Sequence, residues 1–115
     1  MSKDKIMTQV KLTAVIAVTG ALGFASMNAA LASKTHTVSE KGKAFSAKML
    51  EVAVGDTVSF VNDDDIKHNV LISKMKFDSG LQDMGAQTDV AFDKAGKFKV
   101  RCAIHPKMKM TVVAK

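Results

Sequence analysis

From residue 35 onward the apolar side chains recur at every second position, in short runs cut off by glycine, aspartate and asparagine. The stretch KFKVRC shows the pattern at its clearest: Phe98, Val100 and Cys102 share one face, and Lys97, Lys99 and Arg101 share the other. A period of two belongs to a strand with one buried side, and no window of a dozen residues carries a helical stripe. The pattern predicts an all-β domain with strands over 36–39, 48–54, 57–62, 69–73, 88–93, 97–102 and 110–114. VGDT at 54–57 and DKAG at 93–96 supply turns. Residues 74–87, KMKFDSGLQDMGAQ, have weak periodicity and read as a long connection with room for one helical turn.

The alternation is missing before residue 33. There Lys3, Lys5 and Lys11 precede the apolar run LTAVIAVTGALGF, and small residues follow, ending ALA at 30–32. This order is that of a secretory signal peptide, expected over residues 1–32 and cleaved after Ala32. The domain then comprises residues 33–115, exported and periplasmic. The competing reading is a retained anchor, since Leu12 to Ala32 is close to the roughly 20 residues that span a bilayer. After cleavage no membrane attachment is expected.

Composition narrows the functional classes. Loss of Lys3, Lys5, Lys11 and Asp4 lowers the formal charge from +6 to +4, so the domain stays basic. With six Phe and no Trp or Tyr the whole chain has few faces on which bases could stack, and a nucleic-acid partner is not expected. The single cysteine cannot form an internal disulfide, and a thiol exported to an oxidising compartment must be protected or ligated.

That cysteine stands in RCAIHPKMKM, residues 101–110, where thiolate, imidazole and thioether fall within nine positions. Parity points Cys102 inward beside Val100. It also turns His68 to the same side as Val70 and Ile72, at the start of a separate apolar strand. A soft thiolate, two imidazoles and a weak axial thioether suit copper that cycles between two oxidation states, because neither state then receives its preferred geometry. Structural zinc competes for the same ligands, but a thioether suits copper better. A thiol hydrolase built on Cys102 and His105 would need a base geometry and a cleft that nothing else in the chain supports. NDDD at 62–65 lacks the glycine and the terminal glutamate of a calcium loop and reads as a solvated turn. His36 reads as a strand residue, and Met49, Met75 and Met84 as packing or loop residues.

VAVGDTVSFVN followed by KHNV, and FDKAGKFKVRCAIHPKM with its C-x-x-H-P-x-M core, resemble the two ligand regions of the cupredoxins, the small blue copper proteins, most closely the amicyanin and pseudoazurin type and also plastocyanin. The resemblance implies a two-sheet Greek-key β-sandwich with one copper ion at one end, held by His68, Cys102, His105 and a methionine. It further implies that the Asn69 side chain ties the two ligand loops together. Met108 follows the cysteine by six residues, as in amicyanins; Met110, eight after it, is the alternative axial ligand and would leave only TVVAK for the last strand. Ala103 and Ile104 stand where relatives often carry a hydroxyl residue and a proline, so the loop tie could differ here.

The function expected is that of an exported monomeric electron carrier, not an enzyme, passing single electrons between redox proteins such as a cytochrome or an amine dehydrogenase. The alternative is periplasmic copper storage or delivery. His105 would be the electron port, with Ile104, Pro106 and the lysines at 67, 107 and 109 around it to meet an acidic docking surface.

Overall fold

The computed structural model describes residues 32–115; the signal peptide expected over 1–32 therefore lies almost wholly outside the described residues. Eight strands follow one another: β1 Thr35–Glu40, β2 Met49–Val52, β3 Thr57–Asn62, β4 His68–Ile72, β5 Phe77–Gln82, β6 Gln87–Ala91, β7 Gly96–Cys102 and β8 His105–Ala114. They form two sheets, a three-stranded one in the order β1-β3-β6 and a five-stranded one in the order β2-β8-β7-β4-β5. Each sheet contains one parallel pair, β1 with β3 and β2 with β8; the other pairs are antiparallel. This is the all-β domain that the alternation predicts and the two-sheet sandwich that the resemblance implies.

The inward positions supply the core. Val38, Val58 and Phe60 from one sheet, and Val70, Val100 and Val112 from the other, are almost completely withdrawn from solvent. Phe92 packs edge-on against Phe98 with ring centroids 5.3 Å apart, near the optimum for aromatic pairs. Each such side chain contributes about 1.5–3 kcal/mol when fully buried. Gly55 takes up a positive φ of 97° in the turn between β2 and β3, a conformation that costs glycine little.

Two expectations need correcting. The connection at 74–87 contains a 3₁₀ turn, Ser73–Met75, and then a whole strand, β5. β5 is the outer strand of its sheet, with Asp78, Gly80 and Leu81 exposed and Phe77 and Ser79 only half-buried, so it carries no apolar alternation to read. The last strand begins at His105 rather than Met110. Only Ala103 and Ile104 separate it from β7, and Cys102 pairs directly with His105 across a bulge at Arg101 and Cys102. The two residues between cysteine and histidine are thus the tip of a hairpin, which sets both side chains next to each other.

Candidate metal centre

His68 opens β4, Cys102 closes β7 and His105 opens β8, so three strand ends of the five-stranded sheet deliver the three side chains to one place. One donor atom from each lies within 4.8 Å of the others. His68 Nδ1 is 3.1 Å from His105 Nδ1, and Cys102 Sγ is 3.5 Å from His105 Nδ1. Both imidazoles therefore turn the same nitrogen inward, and the thiol joins them. His68 and Cys102 are buried, while His105 is partly exposed.

His68 is held from behind. Its Nε2 lies 3.0 Å from Asp64 Oδ2, so the ring N–H donates to the carboxylate and leaves the Nδ1 lone pair facing Cys102 and His105. Asp64 also accepts from the backbone N–H of Gly42 at 2.9 Å. The His68 hydrogen bond, with backbone donors from Asp65, Lys43 and Gly42, holds the Asp64 carboxyl well below the usual carboxylate range. Removal from water, the nearby His68 ring and Lys43 push the His105 imidazole below its ordinary pKa, which favours the neutral form that can bind a metal. The reading of 62–65 as a merely solvated turn misses Asp64; its only signal is a carboxylate four residues ahead of His68.

Asn69 lies in the adjoining position of β4. Its Oδ1 accepts from Ala103 N–H at 2.9 Å, and its Nδ2 donates to Asp78 Oδ1 at 2.7 Å. The first bond joins the strand bearing His68 to the hairpin bearing Cys102 and His105. It uses the backbone of Ala103, so a hydroxyl side chain at that position is not required.

Both candidate methionines point inward from β8 and are buried. Met110 pairs with Val100, two residues short of Cys102, whereas Met108 lies nearer the hairpin tip. Met108 also borders the groove at the protein surface formed with Ile104, His105, Pro106 and Lys107. His36 belongs to a different part of the fold: its Nε2 meets Asp56 Oδ2 at 2.9 Å, and that contact, with the backbone N–H groups of Lys34 and Ala53, lowers the Asp56 pKa to about 2. Lys67 pairs with Asp83 at 3.4 Å, and Lys107 and Lys109 lie exposed along β8.

The sandwich and its cluster of one thiol and two imidazoles define a cupredoxin. The chain belongs to that family: the cupredoxin-like domain matches residues 13–114. Among solved structures it is similar to a purple cupredoxin from Nitrosopumilus maritimus, with 26% identity and a TM-score of 0.64 over 70% of this chain and 99% of that one. It is also similar to a copper-containing nitrite reductase from Thermus scotoductus, with 30% identity and a TM-score of 0.64, and there it spans only 22% of the other chain. A reduced amicyanin variant is 25% identical, with a TM-score of 0.67, 76% of this chain and 88% of that one being covered. A search among curated proteins finds no match. Cupredoxins bind a single copper ion, and the donors gathered here, one soft sulfur and two imidazole nitrogens with the same ring atom turned inward, fit that ion.

Proposed function

We propose that this protein is an exported type 1 copper protein that carries single electrons between larger redox proteins and turns over no substrate of its own. The observation that carries the reading is the convergence of Cys102 Sγ with the Nδ1 atoms of His68 and His105. In this reading those three side chains would hold copper together with the thioether of Met108, with Met110 as the alternative. Bound copper supplies a one-electron couple.

The protein's part is to hold the donors still. Asp64 fixes the tautomer and tilt of His68, and Asn69 fixes the hairpin against β4. A site that does not rearrange when its charge changes costs little reorganisation in each transfer. The partly exposed edge of His105, with exposed Ile104 and Pro106 beside it, is the electron port. Residues 1–32 act as the signal peptide that delivers the domain, as a monomer, to the periplasm. A cytochrome or an amine dehydrogenase with an acidic docking surface is the class of partner the reading implies.

Copper(II) titration of the purified protein tests the proposal. One equivalent should produce an intense visible band, bleached reversibly by reductant, and Cys102→Ser should abolish it because the band arises from sulfur-to-copper charge transfer. A colourless protein that holds zinc stoichiometrically and has no affinity for copper would refute it. Tight copper(I) binding without reversible redox cycling would favour storage or delivery.

A further inference from the structure

The basic residues of the last two strands fall on one side of the sheet. Lys99 and Arg101 on β7, and Lys107 and Lys109 on β8, are exposed, while Val100, Cys102, Met108 and Met110 between them are buried. The antiparallel register sets Arg101 opposite Lys109 and Lys99 opposite Thr111. Lys48 joins them, because its carbonyl accepts from the Thr111 N–H at 3.0 Å and so fixes its backbone beside that strand. Together these five basic residues line a groove of about 450 Å³ on the outer face of the sheet.

Two like charges directly opposite each other on paired strands are destabilising, so Arg101 and Lys109 are a local cost to the fold. Nothing nearby relieves it. Among the described residues the lysine ion pairs are Lys67 with Asp83 and Lys115 with Glu51, and none of the five groove cations has a carboxylate within pairing distance. A groove lined by one sign of charge focuses its potential and raises the local concentration of the opposite charge. The groove also has a position relative to the metal centre: Arg101 immediately precedes Cys102, and Lys107 immediately precedes Met108. From Lys107 to Thr111 it extends about 13 Å along the strand.

The structure assigns this groove as a docking strip for a carboxylate-rich face of a partner protein, adjoining the rim at Ile104, His105 and Pro106 through Lys107, which lines both. The identity of that partner as a redox protein rests on the electron-carrier reading; the strip itself does not. Arg101 presents a planar fork that matches a carboxylate in a two-pronged contact, and the flanking lysines add point charges around it. The lining residues include no aromatic side chain on which a base could stack, and no exposed large apolar side chain to enter a bilayer, so an acidic protein surface suits the strip better than nucleic acid or lipid. A partner held on the strip lies along the strands that bear Cys102 and Met108.

The test uses the full chain in both copper-free and copper(I)-loaded forms, with an octaglutamate peptide as probe and amide chemical shifts as readout. Shifts should gather at Lys48, Lys99, Arg101, Lys107 and Lys109 in both forms and fade as salt is added. The combined Lys99→Gln, Arg101→Gln and Lys109→Gln variant should bind the peptide about tenfold more weakly. A control carrying Lys41→Gln, Lys74→Gln and Lys94→Gln, with the same change in net charge, should stay within about twofold. Equal losses in the two variants, or shifts spread evenly over all the surface lysines, would reduce the effect to net charge and overturn the strip. Tighter binding to phosphatidylglycerol vesicles or to an oligothymidylate than to the peptide would overturn the choice of partner. A native protein that develops no visible band on copper(II) titration would sink the carrier reading and leave peptide binding unaltered, so the two failures are told apart.

Discussion

Glu40 ends β1 with its side chain turned into the protein, and it is completely buried. Its two carboxylate oxygens and Gln82 Oε1 are all withdrawn from water without a hydrogen-bond partner. Gln82 Nε2 is itself engaged with Phe60 O and Thr88 Oγ1. A proton on Glu40 turns one acceptor into a donor. Burial accordingly pushes the Glu40 pKa up to about 7, with the negative Asp63 adding to the rise and the neighbouring Gln82 side chain offsetting part of it.

In the unfolded chain the same carboxyl ionises at about 4.5. Between these two pH values the folded protein keeps a proton that the unfolded chain releases. The stability contributed by Glu40 is therefore greatest below about 4.5, falls as pH rises to about 7, and is level above it. The loss over that interval is about 3 kcal/mol. Glu40→Gln replaces the acid with a neutral group of the same shape that always carries a donor. Urea unfolding of the copper-free protein from acid to alkaline pH should show the variant gaining on the native protein as pH rises. At alkaline pH the advantage should approach about 3 kcal/mol, worth 10 °C or more in Tm for a domain of this size. Parallel pH profiles for the two proteins would refute the argument, and so would a variant destabilised at alkaline pH.

Met108→Leu keeps the volume but removes the thioether, so it should raise the redox potential and alter the visible spectrum, while Met110→Leu should do much less; the opposite ranking would make Met110 the axial ligand. Asp64→Ala removes the acceptor behind His68 and should weaken copper binding by about 10–100-fold in competition with a chelator, with Asp64→Asn retaining part of the affinity. The Asp56 carboxylate, held at about 2 by His36 and two backbone donors, contributes stability that is present above its ordinary value of 3.8 and is lost as pH falls towards 2. Asp56→Asn should accordingly lower stability at neutral pH and flatten the acid limb of an unfolding profile.

The strands that could be read in advance are those buried on one side. Phe98, Val100 and Cys102 announce β7 because the core selects every second residue, and Val58 and Phe60 announce β3 for the same reason. β5 escaped because an outer strand with Asp78, Gly80 and Leu81 exposed is under no such selection; backbone pairing with β4 makes it a strand. Among the site residues, His68, Cys102 and His105 were legible through parity and spacing. Asp64 was not, since its role depends on the loop after β3 curling back until a carboxylate meets the ring four residues later. Glu40 was invisible for a related reason: its inward parity beside Val38 is plain, but a charged residue in an inward position reads as the end of a strand until the structure shows it buried.

The same contacts show why metal binding and folding are linked through more than three ligands. Glu40 pairs with Asn62 at the end of the β1–β3 ladder, and Asn62 Nδ2 donates to Gln82 O and Ile66 O, so the end of the smaller sheet is tied to the larger sheet and to the loop that leads into His68. Gly42, just beyond β1, donates to Asp64, which in turn holds His68. Cys102 and His105 lie on the far side of that ring, joined to β4 by the Asn69 bond to Ala103. An ion bridging His68 to Cys102 and His105 would thus connect a hairpin of one sheet to a framework that begins in the other. Because His68 lies far in sequence from Cys102 and His105 and meets them only in the folded domain, the ion's binding energy falls mainly to the folded state. The stability gained on loading should then depend on Asp64 and Asn69 as well as on the ligands themselves.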